Sequence, residues 1–208
     1  MTVPARDAIL GRLRSARPTS RLPRADAAGP AKIARHSNDD CLKRFEVEAR
    51  GLGVDVWVEL SPADVRARVA SVTMGLRVLS WDVEHLPYDV GVLMARAVAG
   101  SAPRDEQALA DIGVTGCDAA IAETGSLAMI TGPGRSRIVS LLPPSHLAIV
   151  RRAQLCGTMA EFFSDRRAQL AEASSCTFIT GPSRTADIEL TLTLGIHGPG
   201  RVAIVIGP

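Results

Sequence analysis

The 208 residues carry 24 Lys and Arg against 22 Asp and Glu, a net charge of +2, which lacks the basic surplus that nucleic acid or acidic lipid requires. Hydrophobic residues make up 46% and aromatics only 3%, so the length suits one domain whose core is Ala, Val, Ile and Leu, as in helices packed on a buried sheet. No apolar run approaches the ~20 residues of a membrane helix. The four cysteines, Cys41, Cys117, Cys156 and Cys176, show no CxxC pair and no His at zinc-finger spacing; they read as reduced thiols packed as small apolar groups in a cytoplasmic protein.

The chain opens with an amphipathic segment, residues 4–16, in which Ile9, Leu10 and Leu13 share a helix face and the arginines are solvated. Residues 17–30 are rich in Pro, Ala and Gly without periodicity, and read as a tether. The expected division is therefore an N-terminal helix over 1–16, a tether over 17–30 and an α/β domain over 31–208. Ser37 caps a predicted helix over 38–50, with Asp39 and Asp40 at the positive end of its dipole. Residues 54–60 alternate as a strand. Ser61-Pro62 opens the next helix, to about residue 74, and 77–81 is the next strand. This αβαβ rhythm predicts an open, Rossmann-like and mostly parallel sheet with flanking helices.

Residues 82–103 read as a loop whose middle, 90–99, is either a strand or a helix, and 106–112 as a short helix. Two apolar strands between 114 and 130 flank the turn Glu123-Thr124-Gly125. Strands are expected over 137–142 and 146–150. A helix capped by Thr158 follows over 159–173, then a buried strand over 176–180 and a last strand over 201–206. Residues 130–135, ITGPGR, echo 179–184, ITGPSR. The echo suggests two strand ends delivering similar loops to one edge of the sheet, where α/β sites usually lie.

Chemistry concentrates in the second half. Ser183 or Thr185 can cap a helix carrying Asp187. Free N–H groups at such a start, with Thr180, Gly181 and a bidentate Arg184, would form an anion pocket; the alternative is an ordinary capped turn. His197 lies between glycines in Gly195-Ile196-His197-Gly198, either as a hydrogen-bonded loop residue or as a site histidine. Glu123, beside Thr124, Gly125 and Ser126, is either an exposed loop acid or a carboxylate able to act as base or nucleophile. His146 opens an apolar strand and reads as structural. No nucleotide-binding or hydrolase motif is present.

The run ETGSLAMITGPGRSRIVSLLPPSHLAIV, the motif TGPSRTADIE followed by GIHGP, and the N-terminal RDAILGRLR resemble the LUD-domain family, its lactate-utilisation protein C branch most of all. The resemblance implies a fold like the sugar-phosphate isomerase and CoA-transferase superfamily. It also implies a non-redox subunit of a system that oxidises L-lactate to pyruvate with two iron–sulfur partner proteins. No cofactor is then expected in this chain; the iron–sulfur clusters belong to the partners, and the ligand is a small hydroxy acid or another anion. The matching positions are Glu123, Thr124, Gly125, Ser126, Thr180, Gly181, Ser183, Arg184, Thr185, Asp187, His197 and Gly198. Glu123 sits as the superfamily's transferase glutamate does, by analogy of fold alone. A stand-alone transferase or isomerase and an assembly scaffold are the alternatives.

Overall fold

A computed structural model of the chain describes residues 5–16, 35–186 and 192–208. The chain divides into two units, Met1–Lys32 and Ile33–Pro208. Of the first, helix α1, Ala5–Ala16, is described. The tether and Asp187 lie outside the described residues. No described helix is long and apolar enough to cross a membrane.

The second unit starts with α2, Asn38–Gly51, whose first N–H groups are met by the Ser37 side chain through Asp40 N. Strand β1, Asp55–Val58, follows, then α3, Pro62–Thr73, capped by Ser61 through Asp64 N. Both caps are those the sequence marks. Strands β2, Val78–Ser80, and β3, Val98–Ala99, flank a segment of two 3-10 helices, Val83–His85 and Pro87–Met94. The single turn of α4, Arg104–Gln107, leads into β4, Ile112–Thr115; the short helix expected over 106–112 therefore ends early, because Ile112 already pairs with Val78. Next come β5, Ala119–Ile121, β6, Ser126–Ile130, β7, Ser145–Arg151, and β8, Leu155–Cys156. Helices α5, Met159–Asp165, and α6, Arg167–Glu172, precede β9, Cys176–Ile179, β10, Arg184–Ala186, β11, Leu192–Leu194, and β12, Arg201–Gly207.

Six strands form a fully parallel sheet in the order β1-β12-β7-β4-β2-β3. Its interior strands β12 and β7 are apolar on both faces, as a sheet covered on both sides requires, and Leu147 to Val150 are fully buried. A second sheet, β8-β5-β6-β9, turns back from the first. In its middle strands alternate residues part to opposite faces. Ala120, Leu127 and Met129 join the main core, while Ala119, Ile121, Ala128 and Ile130 pack with Phe162 under α5 and α6. Phe162, Phe163 and Phe178 meet edge to face or tilted, with centroids 5.3–5.9 Å apart; Phe162 lies in this small core, Phe178 packs against it, and Phe163 is half exposed.

Several sequence expectations change. Residues 137–142 are not a strand: Arg137–Ser140 is a 3-10 turn. It lies across β4 so closely that a Cβ on Gly113 would meet the Val139 carbonyl oxygen at 1.8 Å. The helix expected over 159–173 breaks at Arg166, where the backbone turns (φ −103°, ψ 11°) and the guanidinium reaches the Asp118 carbonyl at 3.0 Å. Strand β9 is half-buried, as befits a sheet edge. The two echoed Gly-Pro turns do not share an edge. They follow β6 and β9, which are antiparallel neighbours with Ile130 opposite Cys176 and Leu127 opposite Ile179, so the turns leave from opposite ends.

His146 is structural, as expected. It is 1% exposed, its Nε2 pairs with Thr115 Oγ1 at 2.9 Å, and its Nδ1 has no partner. Burial pushes its pKa down to about 4, so the native protein holds the neutral ring. The stability tied to this group is fully present above the unfolded value near 6.5 and is lost as pH falls toward 4, about 3 kcal/mol in all. Urea titrations at pH 7 and pH 4.5 should show His146→Gln losing much of the wild-type difference between the two pH values. An unchanged difference would show that other groups carry it.

Candidate functional site

The turn between β5 and β6 brings the first set of candidates against the end of α2. Gly125 has φ +63°, and a Cβ there would stand 2.6 Å from Ala49 N and 2.8 Å from the Glu48 carbonyl carbon. Only glycine lets the turn lie on that helix backbone. Thr124 Oγ1 donates to Ser126 Oγ at 2.8 Å, and Ser126 Oγ shares a 2.8 Å hydrogen bond with Thr180 Oγ1. Three predicted residues thus form one hydroxyl chain, with Ser126 1% exposed at its centre. Gly181, also left-handed at φ +79°, rests on Leu52, the residue that caps α2.

No helix begins at Ser183 or Thr185. Arg184–Ala186 is a strand paired antiparallel with Leu192–Leu194, with Thr185 opposite Thr193. Ser183 N donates to the Pro199 carbonyl, and its own carbonyl accepts from Gly195 N, both at 2.9 Å. With these groups committed to the hairpin stem, the expected helix-start anion pocket is absent here. Arg184 is exposed, and its Nη2 donates to the Leu52 carbonyl. A guanidinium at a helix C-terminus opposes the negative end of its dipole. That bond uses one of five N–H donors. His197 is exposed in the 195–200 turn. Gly198 lies over Ser183, and Gly200 N donates to the Pro144 carbonyl at the start of β7.

Thr124, Gly125, Ser126, Thr180, Gly181, Ser183 and Arg184 therefore gather around the end of α2, at the amino edge of the parallel sheet. Glu123 turns to another partner: its Oε1 accepts from Met159 N at 2.6 Å, so its carboxylate meets the first turn of α5. No hydrogen bond joins it to Arg184 or His197 among the described residues. The arrangement leaves the Arg184 guanidinium and the His197 imidazole exposed. It does not bring Glu123 to the same point.

Sequence reading missed a node at the other edge. Asp118, 7% exposed, follows β4. Its Oδ2 accepts from Ile130 N at 2.6 Å; its Oδ1 accepts from Arg135 Nη1 at 2.8 Å and from Gln169 Nε2 at 3.1 Å. The Arg135 guanidinium lies over Trp81, 5.9 Å from the ring centroid. These partners are 12 to 51 residues away in sequence; the one local hint was the arginine of the first echoed turn. Among the described residues no cluster of three or more His, Cys, Asp or Glu is placed to hold a metal ion.

Comparison with known proteins places these features in a family. A model of the LUD domain matches residues 66–206. Lactate utilization protein C of an Exiguobacterium species is 41% identical over 109 residues, which are 50% of this chain and 47% of that protein. The protein of the same description from Bacillus licheniformis is 31% identical over 182 residues, 86% of this chain and 62% of the relative. The chain thus spans about half the length of several curated relatives it matches. The crystal structure of a DUF162 family protein from Deinococcus radiodurans has a TM-score of 0.67 at 24% identity, covering 83% of this chain and 99% of its own, which shows the α/β fold. With the domain model running from α3 to the last strand, the chain belongs to the LUD-domain family.

Proposed function

We propose that this chain is a non-redox subunit of a lactate-utilisation system, acting with two iron–sulfur partner proteins to oxidise L-lactate to pyruvate. The observation that carries this reading is the 31% identity to a lactate utilization protein C over 86% of the chain. Oxidation of lactate removes two electrons and two protons. The cysteines here are dispersed, and three of the four are buried. Burial raises the thiols of Cys117 and Cys156, the latter to about 12, so neither offers a ready thiolate. The two electrons of the broken Cα–H bond would leave through clusters in the partners, which are the oxidant, and its proton would pass to the partners or to water. Arg184 would take the lactate carboxylate, and His197 would accept the hydroxyl proton, because Glu123 is already engaged by Met159 N. Exposed Leu194 and Ile196 on the same hairpin suit contact with a partner subunit.

The test is L-lactate-dependent dye reduction by the chain alone and then with both partners. Activity is expected only in the complex, with Arg184→Ala reducing it by roughly 10- to 100-fold. Glu123→Gln should retain activity within about twofold, since an amide oxygen still accepts the Met159 N–H. Loss of activity in Glu123→Gln would instead favour the transferase-like chemistry of the wider superfamily. No activity in an assembled complex with intact clusters would reject lactate.

A further inference from the structure

A cavity of about 460 Å³ opens beside α5 and contains none of the residues discussed as the amino-edge cluster. Its walls stand where the central strands end. Gln154 follows β7, Ala119 follows the end of β4, and Gln154 Nε2 donates to the Cys117 carbonyl between them. In open α/β sheets this carboxyl edge is where ligands bind. The neighbouring strand end is covered: a Cβ on Gly207, at the end of β12, would meet the Tyr88 ring at 2.6 Å, and Tyr88 Oη donates to the Pro208 carbonyl.

The cavity combines an apolar floor with charged walls. Cys156 and Phe162 are buried beneath it. Arg35 binds Asp165 through two 2.6 Å hydrogen bonds and reaches Glu161 at 3.3 Å. Glu161 is 6% exposed, and its other oxygen accepts from Gly157 N at 2.8 Å. Arg166 is differently placed. One of its donors meets the Asp118 carbonyl, and no carboxylate lies within salt-bridge distance of it among the described residues. His36 sits at the rim so close to Gly157 that a Cβ there would stand 2.1 Å from its Nδ1. The walls thus offer a guanidinium that no carboxylate touches directly and an imidazole, facing the same space as two carboxylates held by Arg35.

We propose that this cavity binds a hydroxylated organic acid larger than a three-carbon acid. The ligand's carboxylate meets Arg166 and His36, and its hydroxyls donate to Asp165 and Glu161. The volume falls in the range of small-molecule pockets and exceeds what lactate fills. A simple anion would leave the two carboxylates facing it, and a neutral polyol would leave Arg166 without a partner. The proposal is independent of the lactate reading: it concerns other residues, and ligand binding by a chain inactive toward lactate would leave it standing.

The experiment is isothermal titration of the purified full chain with D-gluconate, with D-glucitol as the neutral counterpart. Gluconate is expected to bind saturably below about 10 mM, and glucitol not to bind. Arg166→Gln should weaken gluconate at least about tenfold. Because Arg166 also tethers the Asp118 carbonyl, His36→Ala, at the exposed rim, is the second variant and should weaken binding in the same direction with an unchanged melting temperature. Absence of saturable gluconate binding, equal binding of glucitol, or wild-type affinity in both Arg166→Gln and His36→Ala would overturn the assignment.

Discussion

Replacing Asp118 with Ala should cost about 3–5 kcal/mol of unfolding free energy, because it strands a partly buried cation. Arg135 is 20% exposed and would keep its place over Trp81 with no counter-charge. The Ile130 N–H, inside the small sheet, would also lose its acceptor. Both losses act on the native state at once, so they compound. For a domain of this size the melting temperature should fall by roughly 6–20 °C. Asp118→Asn separates the two terms: its amide oxygen can still accept from Ile130 N, so it should lose less than the alanine variant, with the remainder reporting the ion pair. Urea denaturation of both variants tests this. A loss below about 1 kcal/mol in Asp118→Ala would show that Arg135 finds water or another acceptor, and the node would then be incidental to the fold.

The node illustrates what local sequence does not encode. The strand–helix alternation was readable because its causes are local: Ser37, Ser61 and Thr158 each cap the helix that follows them, and the apolar runs in β7 and β12 have no polar face to expose. Asp118 and Arg135 meet because β5 and β6 fold back on each other, and neither residue sits in a periodic pattern that signals it. The same limit explains the hairpin after Thr180. Ser183, Arg184 and Thr185 carry a good helix-start signal, but pairing with residues 192–194 and the two stem hydrogen bonds outweigh it. The echoed Gly-Pro turns agree in local sequence, which points to one edge; antiparallel pairing of β6 with β9 sends them apart. The amino edge shows the same dependence on distant contacts. The hydroxyls of Thr124, Ser126 and Thr180, 54 residues apart at the longest link, do converge, because both segments turn at glycines that rest on the end of α2.

That convergence can be tested at Gly125, where alanine should be more costly than its single methyl suggests. The added Cβ would meet backbone atoms of Ala49 and Glu48 at 2.6–2.9 Å, and backbone in a helix cannot rotate aside as a side chain can. The φ of +63° adds left-handed strain of about 1 kcal/mol or more for a residue with a side chain. Together with the overpacking, the expected loss is about 3–5 kcal/mol, measured by chemical denaturation. Ser126→Ala removes the central hydroxyl without touching the backbone and should cost only about 1–2 kcal/mol. If the turn is needed chiefly to seat α2, Gly125→Ala lowers stability while the surviving folded fraction keeps its activity in the assembled system. If the hydroxyl chain itself meets a ligand, Ser126→Ala lowers activity by far more than its small stability loss explains. Equal, small effects from both variants would mean that the turn can lift from α2 at little cost, and the close packing of Gly125 would not be what fixes this edge.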